Sequence, residues 1–118
     1  MSEIRTDTIS AANGTDPVTL TKQSAAKAWV NMTSAAVING SFNVSSGTDS
    51  GTGNYTASIT NSMADTDYAY SVTPLLNSLA LTGFGWSKAT SSFVSQTAST
   101  SSAAYDAETC ITIHGDLA

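Results

Sequence analysis

Few residues in this chain could do chemistry. His114 is the only histidine, and Cys110, the only cysteine, stands four positions before it. A Cys–His nucleophile pair or a Ser-His-Asp triad would have to use His114. Serine is so common here that finding Ser and Asp elsewhere carries no information. The two residues are read instead as members of one strand, Cys110 as a small half-buried apolar residue and His114 as a solvated strand end. A single cysteine permits no intrachain disulfide. No catalytic residue is assigned, and the chain is read as a non-enzyme.

Asp65, Asp67 and Asp49 could gather oxygens around calcium, but no complete loop motif accompanies them. They are read as turn formers. Gly47, Gly51 and Gly53 do not make a phosphate loop, because no Lys-Ser/Thr pair follows them. No particular pair of carboxylates has the marks of a glycosidase. Neither a metal nor a cofactor is assigned. Trp86, Tyr68 and Tyr70 carry rings of the kind that stack on saccharides or anchor interfaces. Their alternating spacing favours the core, and Trp86 alone is kept as a candidate receptor contact.

The elements that would position these residues are strands. Of 118 residues, 41% are hydrophobic, but much of that is alanine. Ser and Thr make up close to a third of the chain, and only 11% is charged. Small hydroxyl residues suit pleated surfaces and turns, whereas long helices in water carry many Glu, Lys and Leu. The net charge is −5, with Arg5, Lys22, Lys27 and Lys88 as the only cations. Nucleic-acid binding needs cations to neutralise phosphates, so that class is set aside. No stretch approaches the roughly 20 apolar residues of a membrane span, and Met1–Arg5 opens no apolar signal region. The expectation is synthesis in a cytoplasm without membrane insertion.

Residues 1–23 hold only Ile4, Ile9, Val18 and Leu20 as large apolar side chains, broken by Asn13-Gly14 and Pro17. Such a segment cannot form a core alone and reads as an extended arm that packs on something else. Ser24–Trp29 could make one helical turn capped by Ser24. Beyond it the pattern is β. Val37–Ser45 places Phe42 and Val44 on one face. Asn54–Thr60 alternates, with Tyr55, Ala57 and Ile59 inward. The Gly-rich run 47–53 reads as a long hairpin loop between those strands. Asp67–Thr73 alternates through Tyr68, Tyr70 and Val72, and Pro74 ends it or marks an edge. Leu79, Leu81, Phe84 and Trp86 follow, with Gly83 and Gly85 suggesting a bulge or bend. Ser92–Thr97 is a weaker strand and 99–104 a loop. Glu108–His114 closes the chain, with Thr109, Ile111 and Ile113 on one face. These short strands predict an all-β antiparallel sandwich, jelly-roll-like, over 32–118, behind an arm over 1–31.

Several of these segments also carry a resemblance. Glu3–Val18, with its Asp-Thr-Ile core and Gly-Thr turn, resembles the opening of many tail-fibre and virion structural proteins of tailed bacteriophages. Gln23–Asn31, Gly40–Ser46, Asn54–Thr56 and the final Ile111–Asp116 are similar to successive segments of the same proteins. Residues 75–105 match least. Near 32–40 members often carry a further Gly turn and an Arg, where this chain has Asn39-Gly40, so an Arg-dependent contact is missing. The resemblance implies a protein of the virion surface: a tail fibre, a head fibre or a capsid decoration protein. Such proteins are often homotrimers, attached through the N-terminal segment to capsid, tail or baseplate proteins, with the β domain outward. Ile4, Ile9, Val18, Leu20 and Trp29 are then expected to be buried in anchoring and oligomer contacts. The alternative reading is a receptor-binding module that touches host surface saccharide.

Overall fold

A computed structural model describes residues 25–75 and 80–118. The strand propensity of the sequence is realised in eight strands: β1 (Ala28–Met32), β2 (Ile38–Phe42), β3 (Val44–Gly51), β4 (Asn54–Ile59), β5 (Ala69–Leu75), β6 (Leu81–Ala89), β7 (Ser92–Ser99) and β8 (Glu108–His114). They form two four-stranded antiparallel sheets packed as a sandwich. Sheet A has the order β2-β1-β8-β5 and sheet B the order β3-β4-β7-β6. Three local hairpins, β1–β2, β3–β4 and β6–β7, stay within a sheet, and the other connections cross between sheets.

The core lies where the central strands face one another. Alternation puts Val30 and Met32 of β1, Ile111 and Ile113 of β8, Tyr55, Ala57 and Ile59 of β4, and Phe93 of β7 into it. Each large side chain buried there contributes about 1.5–3 kcal/mol. Tyr68 joins this core, and Tyr70 and Val72 pack against it from β5. Pro74 sits in β5, an edge strand that pairs only with β8, a position where a residue lacking an N–H is tolerated. The pairing of β6 with β7 shifts register between Gly85 and Ser87, the bulge that the glycines suggested.

Several expectations need correction. The pattern of 24–29 suits a helical turn, but Trp29 pairs with Phe42 on one side and Thr112 on the other, within β1. Two ladders of hydrogen bonds outweigh the weak tendency of so short a run to be helical. The sandwich therefore takes in residues 28–31, which the sequence had assigned to the arm. Phe42 and Val44 do not share a face. Asn43 between them has φ 56°, and this left-handed residue turns the chain from sheet A into sheet B. Val44 is buried while Phe42 points outward.

The Gly-rich run is strand as well as turn, since β3 continues to Gly51 and pairs with β4 through two register shifts. Gly47 lies against the β1–β2 connection, where a Cβ would come within 2.6 Å of both the Ala36 carbonyl oxygen and the Met32 sulfur. Strand β7, read as weak, is central to sheet B. Its inward face holds Ser95 and Thr97 beside Phe93, and the two hydroxyls donate to the carbonyls of Tyr55 and Tyr105 at 3.5 and 2.6 Å. Satisfied in this way, small hydroxyl residues can occupy a core at little cost.

Candidate functional site

Cys110 and His114 both point from the outer face of sheet A, as alternate positions of β8. Four residues of strand separate them, roughly 13 Å, too far for His114 to act as a base toward the thiol. Cys110 instead accepts a hydrogen bond from the Asn31 Nδ2 at 3.0 Å, and the same nitrogen donates to Glu108 Oε1 at 3.0 Å. The carboxylates of Asp49 and Asp65 cap their own turns, accepting from the N–H groups of Gly51 at 3.0 Å and Asp67 at 2.8 Å. Among the described residues, no three His, Cys, Asp or Glu side chains are grouped as a metal site would need.

Of the nine aromatic residues, Tyr55, Tyr68, Tyr70 and Phe93 face inward and the other five are exposed. Tyr68 is buried, and its hydroxyl donates to the carbonyl of Ala89 at 3.0 Å, with that of Ser92 3.3 Å away. The Lys88 ammonium donates to the Tyr68 carbonyl at 3.0 Å and lies 5.2 Å from the Tyr68 ring centroid. Tyr70 packs between Tyr68 and Phe93, with ring centroids 6.4 and 6.3 Å away. These two tyrosines are structural, as their spacing implied.

Tyr105 stands alone in the β7–β8 connection, and the other four exposed aromatics fall into two pairs, one per sheet. On sheet A, Trp29 is 42% exposed and sits opposite Phe42, which is 55% exposed. The indole packs over Gly40, where it stands 3.5 Å from the place of an added Cβ. Trp29 is thus exposed in the single chain, where the expected burial would come from an anchoring or oligomer contact. Ile4, Ile9, Val18 and Leu20, expected beside it, lie outside the described residues.

The second pair stands on sheet B. Trp86 is 67% exposed and Phe84 38%, with ring centroids 6.5 Å apart and planes tilted by 38°. Glycines alternate with them along β6: Gly83 and Gly85 face Val72, Pro74 and Tyr70 of β5, so the aromatic rings take the outer face. The chain matches no family model, no curated protein and no solved structure. The surface itself is therefore the guide to function.

Across sheet B the outward positions continue from Phe84 to Gln96 and Asn54, and from Ser87 to Val94, Thr56 and Thr48. These positions carry amides, hydroxyls, one valine and the two rings, with no ionisable group. Lys88 is turned to Tyr68, and Asp49, itself exposed, lies opposite the inward Tyr55, whose pKa its charge helps to raise. Sequence reasoning singled out Trp29 and Trp86 and missed their partners Phe42 and Phe84. The signal for Phe84 was present in the alternation Gly83-Phe84-Gly85-Trp86. The signal for Phe42 was Asn43, a residue that tolerates the left-handed turn.

Proposed function

We propose that this chain is a structural protein of the virion surface of a tailed bacteriophage, a tail fibre, head fibre or capsid decoration protein. Its N-terminal arm attaches it, and its β-sandwich faces outward. The observation that carries the reading is the Trp29–Phe42 pair. Two large rings stand exposed on the outer face of sheet A, Trp29 in β1, the first described strand after residues 1–24, and Phe42 opposite it in β2. Apolar surface of this kind gains free energy when it is covered. The arm, other copies of the chain in a homotrimer, or a neighbouring virion protein would cover it. The resemblance of residues 3–18 and 23–31 to the opening of phage fibre proteins supports the same role.

The test is location on the particle. Antibodies to the chain should decorate purified virions in a regular pattern under the electron microscope. Removing residues 1–24, which leaves β1 whole, should abolish that decoration. Virions free of the chain, or decoration that survives the truncation, would refute the anchoring role.

A second reading has its own support in Trp86. An indole 67% exposed beside a second aromatic ring, on a face of amides and hydroxyls, suits a receptor-binding module that touches host saccharide. The two readings are compatible in one protein.

A further inference from the structure

We propose that the outer face of sheet B binds an uncharged saccharide, with Phe84 and Trp86 as the stacking platform and Gln96, Asn54 and Thr56 as its polar partners. The inference rests on the receptor-binding reading and deepens it by naming the site and the class of sugar. Trp86 and Phe84 expose their rings side by side, 6.5 Å between centroids. Aromatic faces of this kind pack against the C–H faces of pyranose rings, which are apolar while the ring edges carry hydroxyls. Those hydroxyls both donate and accept, so they need neighbours that do the same. Amide and hydroxyl side chains fill both roles.

The register supplies such neighbours. Gln96 lies opposite Phe84, Asn54 opposite Gln96, and Thr56 one row along, opposite Val94. Charge decides the class of sugar. The chain carries a net charge of −5, which disfavours acidic glycans at long range, and the outward positions of sheet B offer no cation to bind a uronate or sialate. They offer no carboxylate for an amino sugar either. The aromatic pair on sheet A differs, because its indole packs over Gly40 and Glu108 shares its face.

The β6 bulge has a part in this arrangement. The shift between Gly85 and Ser87 leaves Trp86 without a cross-strand partner. Bulges re-aim side chains. Here the bulge frees the indole from the sheet ladder and presents it beside Phe84.

The experiment uses the full chain on a printed panel of gluco-, galacto- and manno-configured neutral oligosaccharides beside sialylated and uronic-acid ones. The same protein is assayed for binding to bacterial host cells. Trp86→Ala and Phe84→Ala alter exposed residues, and an unchanged thermal transition will show that each variant folds. Thr112→Ala, on the outer face of sheet A, is the control. Binding to neutral sugars that weakens about tenfold or more in both aromatic variants, and not in the control, is the expected result. Binding confined to acidic sugars, or neutral binding indifferent to both aromatic substitutions, would overturn the inference and leave the receptor-binding reading standing. Binding to neither the sugars nor the cells would overturn both.

Discussion

The hydroxyl of Tyr55 accepts a hydrogen bond from the backbone N–H of Ala107 at 3.0 Å, across 52 residues of chain. It donates in turn to the carbonyl of Ser34 at 3.2 Å. One buried phenol on β4 thus ties the β7–β8 connection to the β1–β2 turn. Tyr55→Phe keeps the ring and strands a buried N–H, which should cost about 1–3 kcal/mol. The shift of the urea midpoint at unchanged slope measures this loss. A midpoint equal to wild type would show that water replaces the hydroxyl.

The same tyrosine makes stability depend on alkaline pH. Burial raises the Tyr55 pKa above its ordinary value, the Ala107 N–H opposes this, and the charges of Asp106 and Asp49 reinforce it. Tyr68 is also raised, chiefly by burial and then by Tyr70. Unfolded tyrosines ionise near pH 10 or so, about their unperturbed value. With folded values higher, the unfolded state releases protons first. The stabilisation is whole below about pH 10 and is lost as pH rises from there through the folded values. Urea midpoints for wild type should fall between about pH 8.5 and about pH 11, and those of Tyr55→Phe/Tyr68→Phe should fall less over this range. Parallel falls in the two proteins would contradict this assignment.

Asn43 bears the turn between the sheets. Its Nδ2 donates to the carbonyls of Lys27 at 3.0 Å and Asn61 at 3.1 Å, and its Oδ1 accepts from the Asn61 N–H at 2.7 Å. Asn43→Ala removes these bonds and places an alanine at positive φ, at a cost of about 2–4 kcal/mol. Asn43→Gly relieves the strain alone and should cost less. Thermal denaturation of the pair should rank wild type above Gly and Gly above Ala. An alanine variant as stable as wild type would show that the corner forms without this side chain.

Gly85 gives Tyr70 its place. A Cβ there would overlap the Tyr70 ring and hydroxyl, so Gly85→Ala must displace that ring from between Tyr68 and Phe93. A loss of about 1–3 kcal/mol is expected. Tyr70→Ala in the same background makes room, so Gly85→Ala should then cost much less. Equal costs in the two backgrounds would rule out the clash.

Strands with simple apolar alternation were legible before the structure. Tyr55-Ala57-Ile59 and Thr109-Ile111-Ile113 occupy the buried faces read for them, and the sandwich class follows from such elements. Other features depended on tertiary context. The outward turn of Phe42 hangs on one left-handed residue, Asn43. The central place of β7 is hidden because Ser95 and Thr97 are buried polar residues whose partners lie on distant segments. Strand β3 looked like loop because its glycines and hydroxyls carry almost no apolar signal, and its pairing with β4 supplies the order. Of the proposed contact residues, Trp86 and Phe84 were legible as aromatics alternating with glycines on a strand, but only the register places Gln96 and Asn54 in the row of Phe84.

The native mass of the full chain, by light scattering behind a sizing column, tests most directly whether the exposed Trp29–Phe42 face is an assembly surface. Three copies of the 12.1 kDa chain, about 36 kDa, are expected. Trp29→Ser/Phe42→Ser should lower that mass while the fold persists, because both side chains lie outside the core. A wild-type mass of one chain, or an oligomer unmoved by the double substitution, would contradict a contact between copies through this face.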